Sequence, residues 1–251
     1  MSKKGGCDKV NTDERERKGS YDRRKCFGGK TGRRESFPAV FFQKASFVKR
    51  EKGKKGKMQD NLIVRTTAFA AHVVSAYLKE GDRAVDATCG NGKDTLFLCG
   101  RVGKTGLVYA FDIQKQALEK ARRTLETAGE TAKVKWILDS HQNLLDYVQA
   151  REVQAVLFNL GYLPGGDKQV TTRRESTLEG ARAALEALKR GGILSLVMYP
   201  GHPQGSLERL ALLEMARSLD PKRFHCQHVS PVNQGEGKIL PPEVLFITKK
   251  I

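Results

Sequence analysis

The chain has 251 residues, with 45 Lys and Arg against 28 Asp and Glu and 39% apolar residues. This composition excludes collagen-like, mucin-like and coiled-coil proteins, and no run approaches the roughly 18 apolar residues of a membrane span. The net charge of +17 is uneven: residues 1–60 hold 19 Lys and Arg and 8 Asp and Glu, a balance of +11, and residues 61–251 hold only +6.

Residues 1–60 are rich in Gly, Lys, Arg and Ser, with one short apolar patch at 37–48 that shows no sustained period. Such a stretch buries too little surface to offset the entropy of ordering it. It reads as a basic, largely disordered extension, and its charge favours a polyanionic partner such as nucleic acid, because each neutralised phosphate releases counterions. Its first residues lack the apolar core of a secretory signal, and its acidic residues argue against a targeting peptide. The five cysteines, Cys7, Cys26, Cys89, Cys99 and Cys226, show no metal-ligand spacing, so reduced thiols, no metal and a cytoplasmic setting are expected.

From Asn61 the pattern becomes an alternation of helix and strand, expected to form one domain over 61–251. Thr66 is placed to cap a helix carrying Phe69, Val73 and Tyr77 with Ala70, Val74 and Leu78 at i, i+4, which Gly81 stops. Strands are predicted at 83–87, 107–113, 134–138, 155–159, 193–199, 224–229 and 244–248. A helix opens after the first strand's glycine loop, and others fall at 114–128, 173–189 and 206–219; Thr172 and Glu175 form a capping box for the helix at 173. Helices between strands imply a seven-stranded, mostly parallel sheet covered on both faces, a Rossmann-like α/β fold. The last two strands, joined without a helical period, suit an antiparallel edge.

In open α/β sheets, ligands bind beyond the carboxyl ends of the strands. The first strand is followed by Asp86-Ala87-Thr88-Cys89-Gly90-Asn91-Gly92-Lys93-Asp94-Thr95, where Gly90 and Gly92 permit a tight turn and close approach of a ligand. The second ends at Asp112, placed to take both hydroxyls of a ribose. Thr95 replaces the third Gly of a dinucleotide fingerprint. Asp86 would repel a pyrophosphate but favour a cationic cofactor with an amino-acid group, which describes S-adenosylmethionine. The third strand ends in Asp139-Ser140-His141, suited to an adenine edge.

The fourth strand ends in Asn159-Leu160-Gly161-Tyr162-Leu163-Pro164, which resembles the Asn/Asp-x-x-Tyr/Phe motif of nucleic-acid amino-methyltransferases. There a carboxamide oxygen aims an amine at the methyl donor and an aromatic ring stacks on the base. DATCGNGKDTLFL, YAFDIQ, DSH, FNLGYLPGGDK and GHPQG together resemble the bacterial family known as "putative rRNA methylases", which includes the enzymes that methylate 5-aminomethyl-2-thiouridine at the tRNA wobble position. The resemblance runs from about Asn61 to Lys250.

It implies a class I methyltransferase fold, S-adenosylmethionine as cofactor, tRNA bound through its anticodon region, and a homodimer as one arrangement. Asn91, Asp94, Asp112, Gln114, Ser140 and His141 would contact the cofactor, beside Asp86, Thr88, Gly90 and Gly92 of the turn. Asn159, Gly161 and Tyr162 would face the amine and base. His202, after the fifth strand, is the candidate proton acceptor. Pro164, Gly165, Gly166, Asp167 and Lys168, with Asn233 and Gln234, are candidate substrate contacts. An rRNA or DNA base amine is the alternative substrate; a nicotinamide oxidoreductase and a non-catalytic RNA-binding protein are the other readings.

Overall fold

In the computed structural model, residues 65–130, 132–161, 172–234 and 240–251 are described. The expected disorder of residues 1–60 lies outside them. The elements run α1 (Thr66–Ser75), β1 (Arg83–Asp86), α2 (Lys93–Val102), β2 (Leu107–Asp112), α3 (Lys115–Thr127), β3 (Lys133–Leu138), a 3-10 helix (His141–Asp146), β4 (Val153–Asn159), α4 (Arg174–Ala187), β5 (Leu188–Met198), α5 (Pro203–Ser218), β6 (Phe224–Val229) and β7 (Glu243–Lys249).

All seven strands join one sheet in the order β3-β2-β1-β4-β5-β7-β6. Strands β1 to β5 pair in parallel. β7 runs antiparallel to both β5 and β6, so the expected antiparallel pair is present, with the last strand inserted between its neighbours rather than added at the rim. The order reverses between β1 and β4, which puts a crevice beyond the carboxyl ends of β1, β2 and β4.

Period-two alternation sends side chains to two cores. Val85, Phe111, Val156, Phe158, Leu194, Leu196 and Leu245 pack under α4 and α5, while Ala84, Val108, Ala155, Leu157, Ile193 and Phe246 pack under α1 and α2. The ring of Phe69 meets Phe246 edge-on at 6.2 Å, docking α1 on the sheet. No helix among the described residues is long and apolar enough to cross a membrane.

Two predicted caps are replaced by tertiary bonds. Thr66 lies inside α1 behind Arg65, and its hydroxyl donates to the Pro242 carbonyl at 3.2 Å, tying the helix to the approach of β7. The helix ends at Ser75, leaving Tyr77 and Leu78 in the following turn, where Leu78 is still buried. Arg173 precedes α4 without a side-chain cap, because Thr172 spends its hydroxyl on the Gly161 amide at 3.0 Å. Strand β5 opens at Leu188, so Lys189, predicted helical, lies in a strand.

Candidate functional site

The turn after β1 is built by backbone conformations that glycine adopts freely. Gly90 and Gly92 have φ of 51° and 77°. A Cβ on Gly92 would lie 2.7 Å from both Cα and Cβ of Ala121, so α3 presses directly on the turn. The Thr124 hydroxyl adds a bond to the Asn91 carbonyl at 3.0 Å. The Cys89 amide donates to the Phe111 carbonyl at 2.8 Å, binding the turn to β2. The Cys89 thiol is buried beside the Thr95 hydroxyl at 3.3 Å, and burial pushes it far above the ordinary range, so it packs and does not react.

Three carboxylates gather at this turn. Asp86 is fully buried, with the Thr95 hydroxyl at 2.6 Å and the Thr88 amide at 3.2 Å. Burial, then the charge of Asp94, pushes its carboxyl up to about 7. Burial also raises Asp94, against the opposing bond from Asn159. Asp112 receives the Gly90 amide at 2.8 Å and the Gln114 amide at 2.9 Å, and burial raises it too. Gln114 caps α3 through its backbone. The Asn91 Oδ1 is buried without a hydrogen-bond partner. A crevice that crowds three acids, offers a lone acceptor and sets a half-buried carboxylate at the end of β2 suits a ligand carrying positive charge and a ribose.

At the end of β3, Ser140 caps the 3-10 helix, its hydroxyl accepting the Gln142 amide at 3.4 Å. His141 turns inward. It is 8% exposed, stacks edge-on against Phe158 at 5.2 Å and sits over Gly180, where a Cβ would approach its Cδ2 to 2.6 Å. Burial holds its ring down to about 4, hence neutral at physiological pH. The backbone carbonyls of Ala87 and Ser176, within reach of the ring, oppose that shift.

The end of β4 is held from two sides. The Asn159 amide donates to the Thr88 hydroxyl at 2.7 Å, which uses that hydroxyl as a strut between β1 and β4. The Asn159 Nδ2 donates to Asp94 Oδ2 at 3.3 Å. Because a carboxylate only accepts, this contact fixes the amide's orientation and leaves Oδ1 as an open acceptor. The phenol of Tyr199 completes this corner: its Cδ2 lies 3.9 Å from where a Gly161 Cβ would stand, and burial followed by the charge of Asp94 raises it.

Gly161 and Thr172 then clamp the two ends of the intervening segment, through Gly161 N to Thr172 Oγ1 at 3.0 Å and Thr172 N to the Gly161 carbonyl at 3.1 Å. Behind Thr172 lies Glu208, 2% exposed, which accepts from Thr177 Oγ1 at 2.7 Å. Burial raises its carboxyl, while hydrogen bonds from Thr177 and Thr172 and the nearby His202 oppose the shift.

His202 caps α5, its Nδ1 accepting the Gly205 amide at 3.1 Å. A neutral ring held this way carries its proton on Nε2, so it faces its surroundings as a donor. A proton taken up at Nδ1 would displace the Gly205 amide.

Asn233 and Gln234 are exposed beyond β6. Tyr162, Pro164, Gly165, Gly166, Asp167 and Lys168 lie outside the described residues. Among the described residues, no group of His, Cys, Asp and Glu is arranged to hold a metal ion. Tyr199, Thr172 and Glu208 also stand at this corner and were not among the predicted site residues. The rule that ligands lie beyond strand ends points to Tyr199; Glu208 has no local signal, since its partner Thr177 is 31 residues away.

The "Putative rRNA methylase" family model matches residues 108–247. A chloroplastic tRNA (mnm(5)s(2)U34)-methyltransferase of Arabidopsis thaliana is 38% identical over 190 residues, 72% of this chain and 68% of that protein. The crystal structure of a "putative rRNA-methylase" from Clostridium thermocellum is 39% identical, with a TM-score of 0.70 over 74% of this chain and 97% of the other. A "putative methyltransferase" from Streptococcus mutans, solved in complex with SAH, is 36% identical with a TM-score of 0.65, covering 74% and 98%.

Proposed function

The chain belongs to the "Putative rRNA methylase" family, and from that premise we propose that it methylates the exocyclic amine of 5-aminomethyl-(2-thio)uridine at tRNA position 34, giving the 5-methylaminomethyl nucleoside. The Arabidopsis relative is named for that nucleoside. The observation that carries the reading is Asn159: its Nδ2 is spent on Asp94 at 3.3 Å, so its oxygen is the free group at the end of β4, beside the acid-lined turn.

S-adenosylmethionine is the cofactor, as the SAH complex of the Streptococcus mutans relative supports, and when bound it supplies an electrophilic methyl group. The turn residues fit it. Burial leaves Asp86 and Asp94 without compensating charge, which a bound sulfonium and ammonium would supply by favouring their ionised forms, Asp112 offers acceptors for ribose hydroxyls, and the unpartnered Oδ1 of Asn91 awaits a donor. Ser140 and Gln114 lie at the adenosine end of this assignment. His141 supports it from below as a neutral wall.

On the acceptor side, Asn159 Oδ1 and the Leu160 carbonyl are assigned to hold the amine's hydrogens so that its lone pair points into the crevice. Tyr162 is assigned to stack on the base, and Tyr199 lines the corner beside Gly161. The amine enters neutral, its proton released to water, and removal of water from the corner supplies much of the acceleration. Gly161, Pro164, Gly165, Gly166, Asp167, Lys168, Asn233 and Gln234 are assigned to the anticodon loop. The basic residues 1–60 act as an arm that raises tRNA affinity without choosing the target. A cytoplasmic setting and a homodimer complete the reading; cell fractionation and sedimentation test them.

The experiment is methyl transfer from labelled cofactor to three acceptors: tRNA carrying the aminomethyl group, the same tRNA without it, and an rRNA transcript. Label is expected in the first alone. Incorporation only into rRNA would overturn the substrate and favour the reading in the family's name.

A further inference from the structure

At the amino ends of the parallel strands, opposite the crevice, a cleft of about 540 Å3 opens between α4, the turn before β4, the start of β6 and the end of β7. It is lined by Arg151, Arg182, Arg223 and Lys249, with Glu186 as the single acid. Lys249 is buried and donates to the carbonyls of Leu185 at 2.8 Å, Glu186 at 3.2 Å and Leu188 at 2.8 Å. It thereby closes the C-terminus of α4, where the helix dipole favours a cation. All three of its hydrogens are spent, so it contributes charge to the cleft and no donor.

The arginines are different. Arg151, Arg182 and Arg223 are exposed, and none forms an ion pair among the described residues. Arg223 only lies over the ring of Phe224 at 5.5 Å. The like charges act on one another: after burial, Arg151 and Arg223 are what lower the Lys249 ammonium. Uncompensated positive charge round an open cleft is relieved by an anion. The lining offers forked donors to phosphate oxygens but, besides Glu186, no side-chain acceptor for reading a base edge or a ribose.

We propose that this cleft binds backbone phosphates of the substrate tRNA outside its anticodon arm. Strands of six or seven residues rise about 20 Å, so the nucleotide held in the crevice does not reach the cleft, whereas another part of a molecule as long as tRNA does. The inference rests on tRNA being the substrate.

The test replaces the three exposed arginines together, R151Q/R182Q/R223Q, and compares full-length aminomethylated tRNA with a minimal anticodon stem-loop as methyl acceptors. For the wild-type protein KM should be lower for the full-length tRNA. The variant should raise that KM on the order of tenfold, flatten the log-log salt dependence of binding by about 2 to 3 at roughly 0.9 per phosphate contact, and leave the stem-loop kinetics unchanged. An R151K/R182K/R223K protein should keep most of the affinity. Unchanged full-length KM and salt slope would overturn the proposal, and so would an equal loss on the stem-loop, which would place the effect in the active site. Were neither RNA methylated by the wild type, the substrate reading would fall. Filter binding of tRNA by both proteins would still judge the cleft: equal affinity at every salt concentration means it does not hold RNA.

Discussion

Gly92→Ala tests the packing that shapes the cofactor turn, and the structure supplies its own control. At Gly92 the backbone has φ of 77°, and an added Cβ would stand 2.7 Å from Cα and Cβ of Ala121 and 3.2 Å from its carbonyl oxygen. These are main-chain and stub atoms that cannot rotate aside, so α3 or the turn must move. A left-handed alanine costs about 1 to 2 kcal/mol, and overpacking adds about 1 to 3 kcal/mol, so the variant should lose roughly 2 to 5 kcal/mol. Gly129 has nearly the same φ, 68°, with nothing within 4 Å of its Cβ position. Gly129→Ala should therefore show the backbone cost alone, about 1 to 2 kcal/mol. Urea unfolding of the two variants and the parent gives the differences, and calorimetric titration with SAH gives affinity. Gly92→Ala should lose affinity at least roughly tenfold, because the turn and the start of α2 shift together, while Gly129→Ala binds normally. Equal destabilisation of the two variants, or full SAH affinity in Gly92→Ala, would refute the claim that α3 holds the turn in its binding shape.

Asn159→Ala should lower kcat by about 100- to 1000-fold, the range for removing a preorganised hydrogen-bonding group, with SAH affinity within a few-fold; turnover within threefold of the parent would remove Asn159 from its role. Thr172→Val deletes the acceptor of the Gly161 amide and should cost about 1 to 2 kcal/mol in kcat/KM, with Thr172→Ser restoring it; if Val and Ser behave alike, the clamp does not matter to substrate. The pH dependence of cofactor-free stability should expose two opposed groups. Asp86, raised to about 7, contributes stability that is full below pH 4 and is lost as pH rises towards 7. His141, lowered to about 4, contributes stability that is present above about pH 6.5 and is lost as pH falls towards 4. The stability of Asp86→Asn relative to the parent should therefore grow as pH rises from 4 towards 7, read as a widening difference in melting temperature; a difference that stays constant with pH would contradict the Asp86 environment.

What could be read in the chain was what local chemistry dictates. Alternation marked all seven strands, and Gly90 and Gly92 marked the one turn that needs positive φ. The placement of Asp112 and Asn159 at the ends of β2 and β4 was legible because strand ends converge on one crevice in this fold class. Contacts distant in sequence were not legible. Thr66 and Thr172 look like caps to their neighbours, yet Thr66 bonds Pro242 and Thr172 bonds Gly161. His141 follows a strand end, but the packing of its ring over Gly180 and against Phe158 joins residues no window along the chain connects. His202 shows no sign in its neighbours that its Nδ1 caps α5 by accepting the Gly205 amide. The basic cleft draws on the approach to β4, on α4, on β6 and on β7, four places that no window along the sequence joins.

The central claim is that the acid-lined turn and Asn159 together methylate a wobble aminomethyl group. Mass analysis of position-34 nucleosides from cells lacking the protein tests it most directly. The account predicts that the 5-methylaminomethyl nucleoside disappears and its unmethylated 5-aminomethyl precursor accumulates, with recovery on return of the wild-type gene but not of Asn159→Ala. An unchanged wobble nucleoside profile would contradict it.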